Sequence, residues 1–265
     1  MKNISALRLL VIMLTFSSCQ KVVSLNLNNA APQLVIEGEI TDGSGPYTVT
    51  INQSVDFYAD NSYPAVSGAV VKVSDDRGNT DSLKETSPGV YSTNFLQGKP
   101  GATYSLSVVT QNKNYSATST MPFPVPLDSL TLNLTSGFGQ QRIDAIVNFQ
   151  DPPAVANYYE FVEYVNGQPF PRNNFVFDDR LSDGKYISLV LRTDSSYISS
   201  GDLVRVDMYS IDENTYTYFL ELRQSSGTGA FNATASPANP TTNVLGGALG
   251  YFSAHTTQSK SIVVN

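Results

Sequence analysis

The chain has no tryptophan, one histidine and one cysteine among its 265 residues. A single thiol excludes an internal disulfide framework and any cysteine-rich metal site. A single imidazole would leave a zinc or non-haem iron centre dependent on carboxylates for nearly all its ligands. Charge is sparse as well: 15% of residues are charged, and Asp and Glu outnumber Lys and Arg by 23 to 16. The basic residues are scattered, with no run longer than a pair. Binding to nucleic acid depends on clustered cations that displace counterions, so no nucleic-acid partner is expected. Long apolar runs are missing too, apart from one near the N-terminus.

That run, Leu9 to Phe16, follows the basic residues Lys2 and Arg8 and ends at Ser17-Ser18-Cys19. It is shorter than the roughly 20 residues a helix needs to cross about 30 Å of hydrocarbon. Residues 1–18 therefore read as a removable signal peptide. Small residues at the two positions before Cys19 match a bacterial lipobox, with Phe16 where leucine is commonest. In this reading Cys19 is the first residue of the mature chain and carries the lipid, which is its membrane partner. Two or more acyl chains anchor a protein stably, because each buried methylene contributes about 0.8 kcal/mol. Gln20, rather than Asp, follows the cysteine, which by analogy favours the outer membrane; the leaflet stays open. Residues 19–32 are Asn-rich and form a tether of roughly 20 Å root-mean-square reach.

Beyond the tether the composition is strand-prone, with 15 Tyr, 13 Phe and abundant Ser, Thr, Asn and Val. In LVIEGEI, Leu34, Ile36 and Ile40 alternate with Val35, Glu37 and Glu39. Similar period-two runs follow at 47–52, 69–73, 89–95, 103–109 and 114–120, separated by turn sequences such as DDRGN, SPG and QNKN. Met121–Pro126 places prolines at alternate positions, which a central strand does not tolerate. The fold class expected is mainly β: two antiparallel, immunoglobulin-like β-sandwiches in tandem, over 33–121 and 127–265. One helix is expected at 213–225, with Tyr216, Phe219, Leu220 and Arg223 at helical spacing, Asp212 as cap and Gly227 beyond its end. Gly227–Gly250 follows neither period and reads as a long loop.

LVIEGEITDGSGPYTVTINQS, VSGAVVKVSDDRGN and SPGVY, with the later NYYEF, FDDRLSDGK and PANPTTNVLGGALGYFSAH, carry a resemblance. They resemble the Bacteroidota lipoprotein family known as domain of unknown function 4249, from the lipobox to the C-terminus. The resemblance implies a cell-envelope lipoprotein with an immunoglobulin-like N-terminal part, often encoded beside a TonB-dependent receptor. It implies no substrate and supplies no catalytic residues.

The residues themselves offer few candidates for chemistry. His255 has no GxSxG elbow to serve and reads as structural. Ser182 and Lys185 match the SxxK spacing, but Asp183-Gly184 between them signals a turn rather than a helix. Asp178, Asp179 and Asp183 suggest a calcium loop, yet Leu181 takes the middle position and no closing Glu follows, so a turn with solvated carboxylates is expected. Two Asp-Ser-Leu triplets, at 81–83 and 128–130, resemble a glycosylation acceptor pattern. Tyr158, Tyr159, Phe161, Tyr164, Phe170, Phe175 and Phe177 read mostly as core. The candidate binding surface is the 227–252 loop and its aromatic end, with Phe231, Tyr251 and Phe252. No catalytic, cofactor or metal residue is assigned. The expected role is a non-enzymatic binding or accessory module for a TonB-dependent transporter. The alternatives are a fimbrial or adhesive lipoprotein and a carboxylate-dependent glycan hydrolase.

Overall fold

A computed structural model describes residues 31–55, 62–137, 140–170, 175–191, 198–225 and 238–265. Over half of the chain, 55%, is strand and 6% is helical. The strands are β1 (Leu34–Thr41), β2 (Thr48–Gln53), β3 (Val70–Asp75), β4 (Thr80–Ser82), β5 (Lys84–Ser87), β6 (Val90–Ser92), β7 (Thr103–Thr110) and β8 (Lys113–Thr120). After the proline-rich connector come β9 (Leu127–Gly137), β10 (Gln140–Gln150), β11 (Tyr158–Val165), β12 (Gln168–Pro169), β13 (Phe175–Asp178), β14 (Tyr186–Leu191) and β15 (Leu203–Ile211). Helix α1 (Glu213–Ser225) and the long strand β16 (Leu249–Val263) complete the described elements.

These strands form three sheets. A nine-stranded sheet runs β12-β11-β15-β16-β1-β2-β6-β5, with β13 also paired to β11. A four-stranded sheet, β4-β3-β7-β8, and a three-stranded sheet, β14-β10-β9, complete the set. The alternation read in LVIEGEI is realised directly: Leu34, Ile36 and Ile40 are buried while Glu37 and Glu39 are exposed. They join Val49, Ile51, Val71, Val73, Tyr91, Tyr104, Leu106 and Val108 in a first core. A second core gathers Leu130, Val147, Phe149, Tyr159, Phe161, Leu191, Val204, Val206 and Met208. Burying each such aliphatic or aromatic side chain contributes about 1.5–3 kcal/mol.

The nine-stranded sheet belongs to both cores, and β16 is the strand that joins them. Its first half pairs parallel with β1, from Val35↔Leu249 to Thr41↔His255. Its second half pairs antiparallel with β15, from Ser210↔Thr256 to Leu203↔Val263. The 127–265 stretch therefore also serves the first core, to which it supplies Val244, Ala248, Phe252 and Ala254. At Gly38, where β1 crosses this seam, an added Cβ would lie 3.0 Å from Val49 and 3.2 Å from Phe252.

Helix α1 occupies the residues that its sequence spacing predicts. Asp212 caps it, with Oδ1 accepting the Thr215 N–H at 2.9 Å, an interaction worth about 1 kcal/mol. The same carboxylate accepts the Ser119 hydroxyl at 2.6 Å through Oδ2. Ser119 Oγ in turn accepts the Ala254 N–H at 2.8 Å. One side chain thus starts the helix and ties β8 to it, while Ser119 continues the link to β16. On its sheet side α1 packs Tyr216, Tyr218 and Phe219 with Val176 and Ile211 in a small third cluster.

Candidate functional site

The described residues gather one cluster with the chemistry of a site, and two loops build it. Strand β10 ends at Gln150, and Asp151 opens the loop Asp-Pro-Pro that leads to β11. Strand β13 ends at Asp178, and the turn Asp179–Lys185 leads to β14. The loops are knitted by main-chain hydrogen bonds, Asp179 N–H to Asn157 O and Asp151 N–H to Lys185 O. Their close approach requires Gly184, which has φ +66° and where a Cβ would sit 2.8 Å from Pro153.

Carboxyl oxygens of Asp151, Asp179 and Asp183 lie within 4.8 Å of one another at this junction. Asp151 is fully enclosed, Asp179 is 4% exposed, and Asp183 reaches solvent. Each is held by its own donor. Asp151 accepts the Tyr159 hydroxyl at 2.6 Å and the Gly184 N–H at 3.0 Å. Asp179 accepts the Asn157 N–H at 2.9 Å, and Asp183 accepts the Ala154 N–H at 2.8 Å. Burial pushes the Asp179 carboxyl above its ordinary range, and the charges of Asp151 and Asp183 push it further. Burial and the hydrogen bond to Asp151 likewise raise the Tyr159 phenol.

The neighbouring acid has the opposite fate. Asp178 receives a two-pronged fork from Arg180, Nε to Oδ1 at 2.9 Å and Nη2 to Oδ2 at 2.8 Å, and also accepts the Tyr216 hydroxyl. The Arg180 fork holds Asp178 below the usual carboxylate range. Burial and the bond to Asp178 push the Tyr216 phenol up to about 12. Two adjacent aspartates are thus divided, one neutralised on the outside and one turned inward among other acids. Three convergent carboxylates are the donor set that a hard cation such as calcium accepts.

The sequence reading found two of these three residues. It expected solvated carboxylates in the 178–183 turn, whereas Asp179 is buried because Asp151 and Asn157 close over it from the other loop. Asp151 was missed; its only local signal is an acid directly before Pro152-Pro153 at the end of a strand. Ser182 and Lys185 do sit in a turn, with the Lys185 N–H on Ser182 O and its ammonium donating to Leu181 O at 2.9 Å.

The aromatic candidates separate. Tyr251 is half-buried, its ring 5.0 Å from that of Tyr218 and 4.9 Å from that of Phe219, and its hydroxyl donates to Glu39 at 2.7 Å. Phe252 is 0% exposed and belongs to the first core, so it offers no surface to a ligand. The reason is the pleat: β16 begins at Leu249, so adjacent residues face opposite sides of the sheet. Phe231 and Cys19 lie outside the described residues. His255 is buried against Tyr209, ring centroids 4.7 Å apart, with Nδ1 3.2 Å from Ser253 Oγ. Ser82 of the first Asp-Ser-Leu triplet is exposed, and Ser129 of the second is half-buried.

Fold and site together define a mainly β protein with a single sheet-packed helix among its described residues and an acidic loop junction. Residues 20–261 match the family model described as a domain of unknown function (DUF4249), and the chain belongs to that family. A search of curated proteins finds no match.

Proposed function

We propose that this protein is a Bacteroidota outer-membrane lipoprotein, anchored through Cys19, whose β-body is a non-enzymatic binding or accessory module for a TonB-dependent transporter. The observation that carries the reading is the N-terminal layout: two basic residues, a short apolar run and Ser-Ser before the sole cysteine. The family match begins at Gln20, the residue after that cysteine. An anchored body needs a tether, and in the sequence the 19–32 stretch stands directly before the start of β1 at Leu34. Glu37 and Glu39, both exposed on β1, give the body an acidic face for a partner.

The anchor is tested by labelling cells with an alkyne-bearing palmitate analogue and fractionating membranes. The wild-type chain takes up label and sediments with outer membranes. Cys19→Ala takes up none and leaves the membrane fraction. Retention of that variant in membranes would refute the anchor. Affinity capture of the lipidated protein in mild detergent tests the partner: co-purification of a TonB-dependent receptor supports the accessory role, and its absence overturns that part.

A further inference from the structure

We propose that the fold is built to bear tension delivered through its N-terminal tether. The proposal rests on the anchored reading for its biological purpose, but its mechanics follow from β1 alone. Among the described strands β1 is the one in a parallel pair: it runs beside β16 over seven residues in register, Val35↔Leu249 to Thr41↔His255. On its other edge it is antiparallel to β2, from Leu34↔Gln53 to Gly38↔Val49.

Direction of pull decides how a ladder of hydrogen bonds fails. When two strands are drawn along their axes in opposite senses, every rung is loaded together and must yield nearly at once. When they are peeled from one end, each rung carries the whole load in turn. A force on the residues before Leu34 pulls β1 toward its own N-terminus. A partner holding the far end of β16 pulls that strand toward its C-terminus. Parallel strands pulled so are sheared, whereas an antiparallel pair pulled at adjoining ends is unzipped.

The side chains reinforce this geometry. Ile36 and Ile40 are fully buried, and Leu34 is nearly so, locking β1 against sliding. Gly38 lets Val49 and Phe252 close over the strand from both sides. The opposite edge of β16 is held as well. Asn243 accepts the Phe252 N–H at 2.9 Å and donates to Phe252 O at 2.7 Å, while Thr242 Oγ1 donates to Gly250 O at 2.6 Å. From β16 the load spreads into β15 through eight further paired residues. Tension therefore reaches the second core through the sheet as well as along the Met121–Pro126 connector.

The test is single-molecule force spectroscopy on the unlipidated chain Cys19–Asn265, whose only cysteine is already a handle at the tether. A second cysteine is placed at Asn265→Cys for shear. For comparison it is placed at Val55→Cys, beside the start of β1, where Ser54 N–H meets Gln33 O at 2.8 Å. Equilibrium urea unfolding checks that both variants keep wild-type stability, so that only pulling direction differs. The expected result is a clearly higher rupture force for the 19–265 pair than for the 19–55 pair. Equal forces, or a weaker 19–265 pair, overturn the proposal. The protein used carries no lipid, so the outcome is independent of whether Cys19 is acylated in cells.

Discussion

The two cores of this protein bury similar apolar side chains but treat buried polar groups differently. In the first core the polar groups are spent on holding loops. The Tyr47 hydroxyl donates to Gly43 O at 2.6 Å and accepts Gly98 N–H at 2.9 Å. Tyr91 likewise donates to Val66 O and accepts Ala69 N–H, both at 2.9 Å. Its one buried acid among the described residues, Asp81, accepts the N–H groups of Asn94, Phe95 and Leu96 and the Asn94 side-chain amide. Around the second core the buried acids are Asp144, Asp151, Glu160, Glu163, Asp179 and Asp207. Some are paired, as Asp144 is with Arg142 at 2.8 Å. Asp151 and Asp179 each accept a main-chain N–H but also face one another. A half that satisfies every acid with backbone donors is a scaffold. A half that concentrates acids against one another at a loop junction does so at a cost in stability.

The largest effects should come from the apolar seam that the two halves share. Phe252→Ala removes a fully enclosed ring from the first core and should cost about 3–5 kcal/mol, read as a lowered urea midpoint. Phe149→Ala, its fully enclosed counterpart in the second core, should cost a similar amount. If Phe252→Ala were neutral, the ring would be a surface group and the shared-sheet account of β16 would fail.

Asp81→Ala comes next, because it leaves the buried Leu96 N–H and the part-buried Asn94 and Phe95 N–H groups without their acceptor; a loss of roughly 1–3 kcal/mol is expected. Burial raises the Asp81 carboxyl, but its hydrogen bonds outweigh that and its folded pKa is depressed. Its stabilisation is therefore present above the ordinary value of about 3.9 and is lost as pH falls through the folded pKa. Asp179→Asn should behave in the opposite way. Its folded pKa is raised, so its charged form opposes folding at neutral pH, and removing the charge should leave stability equal or higher. Paired denaturation curves at pH 7 check both; a loss at Asp179 as large as at Asp81 would erase the distinction between the halves.

Much of the scaffold half was legible because its determinants are local. Period-two burial and the DDRGN turn closed by Asp75 on the Arg77 and Asn79 N–H groups act within a few residues, as does the Asp212 cap outside that half. What was not legible depends on partners distant in sequence. Nothing in LVIEGEI announces that it will pair parallel with residues 249–255. Phe252 was misread for that reason: a glycine-rich approach suggests a loop, and only the pairing with β1 fixes which face of β16 is inside. The acidic junction was half legible, because Asp179 and Asp183 share a turn while Asp151 arrives from another loop.

The smallest expected effect is at His255, and it is the cleanest to assign because the chain has no other histidine. The ring is 4% exposed and packs on Tyr209 beside Ser253, where β16 passes from one core to the other. Burial lowers its pKa; the acids Glu39, Asp42 and Asp212 oppose that shift without overcoming it. The folded state therefore prefers neutral imidazole. Its contribution is complete above the unfolded value of about 6.5 and is lost as pH falls toward the lower folded pKa. Wild-type stability should decline gently from about pH 6.5 downward, before the bulk of the carboxylates titrate. His255→Gln, which cannot take up a proton, should flatten that part of the profile whatever it does to stability at pH 8. If the slope between neutral pH and the carboxylate range is the same in both proteins, protonation of His255 at the seam is not what acid works against.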